Sequence, residues 1–206
     1  MLLITQSLLS AWGRTFDCYE GTEEEARASF LRTLRRQPSE PNDAMRKGIE
    51  FEASVYAEMA GEYKDTHPAW ESGIRAVATR LAGCQTQIRA SREIKVDGRC
   101  FLVYGVLDAL RAGVIYDVKF LTRSFGSAEL AGKYLNSPQH PAYFCIVPEA
   151  FRFEYLVSDG SDLYVESYER SETRHISEFI RPFIRSLENQ GLWDEYERMW
   201  SCDRPA

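Results

Sequence analysis

The sequence predicts an α/β fold whose core runs helix, three antiparallel strands, helix, strand, and three observations carry that prediction. First, residues 101–120, FLVYGVLDALRAGVIYDVKF, hold two apolar runs joined by a turn at Arg111-Ala112-Gly113, the pattern of a β-hairpin. Second, Arg92 to Val96 alternates like a strand and leads through Asp97-Gly98, a hairpin dipeptide, into the first run. Third, helix-period segments lie on either side of the three strands, and a further β-rich run, Phe151 to Val157, follows the second of them. A sheet of this order needs one crossover connection. With 206 residues, 44% hydrophobic and 13% aromatic, the chain suits one globular domain. Its expected parts are N-terminal helices at 5–36, a core at about 42–170 and C-terminal helices at 172–200.

Taken in order, Thr5 or Ser7 caps a short helix through Ala11 and Trp12, with Leu8, Leu9 and Trp12 on its apolar side. Residues 22–36 form a second helix, with acids in its first turn and arginines in its last, as the helix dipole favours. Pro38 and Pro41 mark a connector. A third helix runs from Asp43 to Ala60, capped by Asn42 or Asp43 and stopped by Gly61, with Met45, Ile49, Tyr56 and Met59 as its apolar stripe. Glu52 falls on that stripe. Within 66–90 the second half, Ile74 to Leu81, reads as helix.

Phe101 to Leu110 is apolar at nearly every position, as in a strand buried on both faces, yet it contains Asp108. In the next strand Tyr116, Val118 and Phe120 point one way, and Ile115, Asp117 and Lys119 the other. Ala128 to Leu135 makes a short helix, and Ser137-Pro138 opens another that ends before Pro148. Phe151 to Val157 and Leu163 to Tyr168 are strands around an Asp159-Gly160 turn, before closing helices at 172–189 and 192–200.

Charge and cysteine usage bound the function. The net charge is −6, which argues against a nucleic-acid partner until its distribution is read. From residue 158 onward, 11 acidic residues face 6 basic ones, so that quarter carries −5 of the total. Between 111 and 133 the balance reverses, with Arg111, Lys119, Arg123 and Lys133 against Asp117 and Glu129. Cys18, Cys84, Cys100, Cys145 and Cys202 are scattered without a CxxC pair, which fits reduced thiols in the cytoplasm. The histidines show no metal-ligand spacing, and the apolar run Leu2-Leu3-Ile4 is too short to span a membrane.

Three charged groups, Asp108, Asp117 and Lys119, thus lie in or beside a core, where a charge is costly unless it is paired or binds a metal. Asp117-x-Lys119 is by itself also what an exposed strand face looks like. Two carboxylates with a lysine close behind suit a hard divalent ion. Asp108 and Asp117 could share it, the Val118 carbonyl would add an oxygen, and Glu52 could reach it through water. Gln139 and Tyr143, four apart, share one helix face, and Gly105 would let another element approach beside Asp108.

In the order Gly48-Ile-Glu-Phe-Glu52, Gly105-Val-Leu-Asp108, Asp117-Val-Lys119 and Gln139-His-Pro-Ala-Tyr143, these residues resemble the PD-(D/E)XK nuclease superfamily. The likeness is to its RecB-like, phage-type exonuclease branch, which carries GxxxE, GxxD, DxK and QxxxY in that order. The opening ITQSLLSAW also resembles the Ser-capped first helix of that branch. The resemblance implies a restriction-endonuclease-like αβββαβ core with a mixed sheet flanked by helices. It further implies a magnesium-dependent deoxyribonuclease, with manganese as substitute and an exonuclease before an endonuclease. Glu52, Asp108, Asp117 and Lys119 would be catalytic, the first three holding metal with Val118. Gln139 and Tyr143 would touch the nucleic-acid backbone, and Lys47, Arg123 and Lys133 are placed for phosphate contacts. The sequence departs from the family in having Phe120 after the lysine, where many relatives have Thr or Ser, and Glu52 where several have His. Cys202 stands alone near the C-terminus, so no iron–sulfur cluster is expected. No nucleotide-binding P-loop pattern appears, so a recombination or helicase partner would do any unwinding. A non-catalytic nucleic-acid-binding domain on the same fold is the competing expectation, and oligomeric state stays open.

Overall fold

The computed structural model describes residues 1–64 and 66–202, and of Ser127 the backbone alone. Its strands are β1 (Leu2–Thr5), β2 (Gln85–Val96), β3 (Arg99–Arg111), β4 (Val114–Phe120), β5 (Arg152–Ser158) and β6 (Leu163–Glu169). Its α-helices are α1 (Gln6–Gly13), α2 (Glu23–Leu34), α3 (Asp43–Met59), α4 (Glu71–Leu81), α5 (Ser127–Leu130), α6 (Gln139–Ile146), α7 (Ser177–Asn189) and α8 (Trp193–Trp200).

The sheet is organised on β3. One edge of β3 pairs antiparallel with β2 along nearly its whole length. The other edge is shared: β1 pairs in parallel with Phe101–Tyr104, and β4 pairs antiparallel with Ala109–Arg111 only. β4 then runs parallel to β5, through the crossover that contains α6, and β5 pairs antiparallel with β6. Alternation decides which side chains face which layer. Ile115, Tyr155 and Val157 join a core with α1, α2, α6, α7 and α8, whereas Tyr116 and Leu156 pack on the other face against Phe51 and Val55 of α3 and Ile74, Val77 and Leu81 of α4.

Several expectations need correction. β1 is a strand over Leu2–Thr5, where no element was expected before the helix cap at Thr5 or Ser7, because four residues suffice once Phe101–Tyr104 offers a free edge. β2 begins at Gln85, seven residues before the expected start. β3 is not buried on both faces: Phe101, Val103, Gly105, Leu107 and Ala109 are buried and the residues between them only partly so. The stripe of α3 is also displaced. Met45 and Ile49 are 55% and 60% exposed, and Phe51 and Val55 are the buried residues, so the first two turns of the helix project beyond the core. α5 is a four-residue helix, shorter than expected, and α7 starts at Ser177 after a 3-10 turn at Arg170–Glu172. Two cap assignments hold, with the Thr5 hydroxyl accepting from Leu8 N at 3.3 Å and Asn42 Oδ1 accepting from Met45 N at 2.9 Å. The expected Ser137 cap does not, because α6 starts one residue later, Pro138 takes the cap position, and Ser137 Oγ accepts from Gln139 N at 3.2 Å. All five cysteines are free, and no described helix is long and apolar enough to cross a membrane.

Candidate active site

The shared edge of β3 creates the site. Between Tyr104, where β1 ends, and Ala109, where β4 takes over, no strand pairs with that edge. The β3–β4 ladder stops at Ala109–Tyr116, so the next residues in register, Asp108 and Asp117, are where the two strands part. On the opposite edge the β2–β3 ladder pairs Thr86 with Ala109 and Ile88 with Leu107 and skips Gln87 and Asp108. Gln87 takes a left-handed φ of +53° there.

Backbone groups freed by this fork still need partners. The Asp108 carboxylate accepts from Val118 N at 2.9 Å, bracing the fork from within. The Tyr143 hydroxyl of α6 donates to the Val106 carbonyl at 2.8 Å. The Tyr56 hydroxyl of α3 lies 3.2 Å from the Asp108 carbonyl and 2.8 Å from Glu52 Oε1. Gln87 Nε2 donates to the same Glu52 oxygen at 2.9 Å. A cavity of 370 Å³ fills the opening, and Glu52, Asp108, Asp117, Val118, Lys119, Gln139 and Tyr143 all line it. Thr5, Gln6 and Ser7, at the N-terminal end of α1, close the facing wall.

Gly105 answers a steric need. A Cβ there would collide with the Tyr143 ring, whose Cδ1 would be 3.1 Å away, so glycine lets α6 lie directly on β3. Gly48 answers none, since a Cβ would meet nothing within 4 Å.

Asp117 is 2% exposed. Its Oδ1 accepts a hydrogen bond from Gln139 Nε2, and its Oδ2 forms an ion pair with Lys119 Nζ at 2.6 Å. Burial, then the neighbouring Asp117 and Glu52 charges, push the Asp108 carboxyl well above the usual carboxylate range. Burial works to lower Lys119, but Asp117 and Asp108 outweigh it and hold the ammonium above its ordinary value. Two carboxylates crowded in a buried fork form a donor set for a hard cation. Among the described residues no three His, Cys, Asp or Glu side chains converge on one point. A divalent ion would therefore complete its shell with backbone carbonyl, water and substrate oxygens, which is magnesium's habit.

The three lysine and arginine candidates stand elsewhere. Lys47 is exposed on the projecting part of α3, Arg123 pairs with Glu129, and Lys133 borders a neighbouring groove, so none lines the cavity. Tyr56 and Gln87 are part of the site and were not singled out for it from sequence. Tyr56, four residues after Glu52 and so on the same helical face, carried a usable signal; Gln87 carried none.

No family model matches the chain, and no curated protein matches it. Solved structures do. The crystal structure of SSO0001 superposes with a TM-score of 0.53 at 13% identity, covering 92% of this chain and 77% of that one. The crystal structure of LHK-Exo in complex with dAMP gives a TM-score of 0.52 at 15% identity, covering 95% of this chain and 91% of that one. Such identities speak to architecture alone. The chain has a restriction-endonuclease-like fold, a mixed central sheet flanked by helices.

Proposed function

We propose that this protein is a metal-dependent nuclease of the PD-(D/E)XK superfamily, RecB-like and phage-type, that hydrolyses DNA phosphodiester bonds from strand ends. The observation that carries the reading is the fork, with Asp108 and Asp117 at the point where β3 and β4 separate and Lys119 beside them in one cavity. The dAMP bound to LHK-Exo, a protein of the same fold, favours a deoxyribonucleotide substrate and the exonuclease form of the activity.

In this reading Asp108 and Asp117 would hold a magnesium ion, or manganese in its place, with the Val118 carbonyl as a further oxygen donor, and Glu52 would reach it through water. Such an ion supplies charge neutralisation at the phosphate and a more acidic water. The remaining work falls to the protein. Lys119, held as an ammonium by its carboxylate neighbours, orients the attacking water and offsets charge on the phosphate oxygens. Gln139 fixes the rotamer of Asp117, and Tyr56 with Gln87 fixes Glu52. The water oxygen forms the new bond to phosphorus and loses a proton to solvent, the bond from phosphorus to the leaving ester oxygen breaks, and that oxygen takes up a proton from solvent. With no P-loop pattern in the sequence, we assign any unwinding to a helicase or recombination partner.

The test is release of soluble nucleotides from end-labelled linear duplex DNA with magnesium, with manganese and with chelator, for the parent and for Lys119→Ala. Release that needs metal and is lost in the variant supports the reading. Cleavage of a closed circle would change it to an endonuclease. DNA binding without cleavage under either metal would favour a non-catalytic module.

A further inference from the structure

A second concavity, of 450 Å³, runs along α1 beside the candidate active site. Its walls carry three cations, Arg14, Lys133 and Arg174, and three aromatic rings, Trp12, Phe16 and Phe179, with Asp17 as an acidic member. In a chain of net charge −6 this is a local reversal. Among the described residues none of the three cations is ion-paired with a carboxylate: Arg174 donates to Asn136 Oδ1 at 3.0 Å and lies 4.8 Å from the Phe179 ring centre, and Lys133 Nζ lies 5.8 Å from that of Tyr134. Among the described residues, no carboxylate thus lies within ion-pair distance of these three groups. Phe16 is 65% exposed, so its ring is available to a planar partner.

Two elements join this groove to the cavity. α1 gives Gln6 and Ser7 to the cavity, and Leu9, Ser10 and Trp12 to the groove. The start of α6 gives Gln139 to the cavity, and Ser137 and Pro138 just before it to the groove. From Ser7 to Arg14 the helical path is about 10 Å. Three cations without a carboxylate partner beside one exposed ring, Phe16, with Trp12 and Phe179 half-buried next to it, suit a strand whose phosphates are charged and whose bases are unstacked. A duplex would keep its base faces covered.

We infer that this groove is a track for single-stranded nucleic acid, its phosphates held by Arg14, Lys133 and Arg174 and its bases stacked on Phe16 and the neighbouring rings, leading a strand to or from the fork. The inference rests on the nuclease reading of that site and names the form of its substrate.

Binding of the full chain to a fluorescein-labelled oligothymidylate of about 20 nucleotides, in chelator so that no cleavage intervenes, tests it across a salt series. The triple variant Arg14→Gln/Lys133→Gln/Arg174→Gln should lower the slope of log K against log salt by about 2, from roughly 0.7 per phosphate contact on a single strand. Phe16→Ala should weaken binding about tenfold with the slope unchanged. Both variants should keep the parent's melting temperature and its metal-dependent cleavage of bis(p-nitrophenyl) phosphate, a substrate small enough to need the cavity alone. If the parent digests DNA but neither variant alters affinity or slope, the strand takes another route and the inference falls while the nuclease reading stands. Tighter binding of duplex than of single strand through the same residues would also overturn it. A parent that neither cleaves nor binds DNA would remove the nuclease reading and the track together.

Discussion

Replacing Gly105 by alanine adds one methyl group at the tightest contact beside the site. The new carbon would sit inside the Tyr143 ring edge, 3.1 Å from Cδ1, and 3.3 Å from Ile146 Cδ1. Tyr143 has little room to yield. It is 4% exposed, and its hydroxyl is tied to the Val106 carbonyl at 2.8 Å. Overpacking of this kind costs about 1–3 kcal/mol. Displacing the ring also loses a hydrogen bond worth about 0.5–1.5 kcal/mol. Gly105→Ala should thus destabilise the protein by about 2–4 kcal/mol, read as a fall in the urea midpoint at unchanged m-value. The clash has a single main partner, so a smaller side chain there should relieve it. In a Tyr143→Leu background the same substitution should cost less, with a coupling of about 1–3 kcal/mol in the double-mutant cycle. A cost below about 1 kcal/mol, or strictly additive single effects, would refute the view that glycine is required for α6 to lie on β3.

Other perturbations test other parts of the structure. Arg80 Nε and Nη2 meet the buried Glu154 carboxylate at 2.7–3.0 Å, so Arg80→Met should cost about 2–3 kcal/mol in urea unfolding by leaving a buried charge alone, and a second change, Glu154→Gln, should restore at least half of it. Tyr56→Phe removes the hydroxyl between Glu52 and the Asp108 carbonyl; turnover should fall about tenfold while stability changes by less than about 1.5 kcal/mol, measured by nuclease assay and melting together. His140 is buried, and burial followed by the charge of Arg174 lowers its pKa from 6.5 to about 4. The unfolded chain therefore takes up this proton first, and stability should drop by up to about 3 kcal/mol as pH falls from the higher of those values to the lower. His140→Gln should flatten that part of the stability–pH curve, and an unchanged slope would show that the imidazole is not the group responsible.

The β3–β4 hairpin was legible because its information is local: two apolar runs, a turn, and charged residues where only a cavity or a metal can accommodate them. Gly105 was noted for letting another element approach, but the element that does so, Tyr143 of α6, lies about 40 positions away and leaves no periodic trace. β1 escaped notice because three apolar residues and a threonine become a strand only when a partner edge exists, and that edge lies about 100 residues later. Met45 and Ile49 were assigned to the core by spacing alone. Spacing identifies a helix face, not how far along the helix the core extends. Lys47 and Arg123 were grouped with the site for their charge, but neither lines the cavity, and Arg123 is paired with Glu129. Gln87 depends on a left-handed backbone in the middle of a strand, which tertiary pairing alone imposes.

The exposed start of α3 has a mechanical consequence. From Asp43 to Glu50 no residue is buried, and anchoring begins at Phe51, one position before Glu52. The helix is a cantilever clamped beside a candidate catalytic carboxylate, with Gly48 within the free span costing about 1 kcal/mol of helix propensity. Its free turns rest on the Asn42 cap and their own hydrogen bonds, so they should open locally at far lower cost than the clamped half, and their amides should exchange with deuterium correspondingly faster. Anything that settles across the mouth of the fork would load this beam, and slowed exchange in its free turns would register that load without a label attached to the protein.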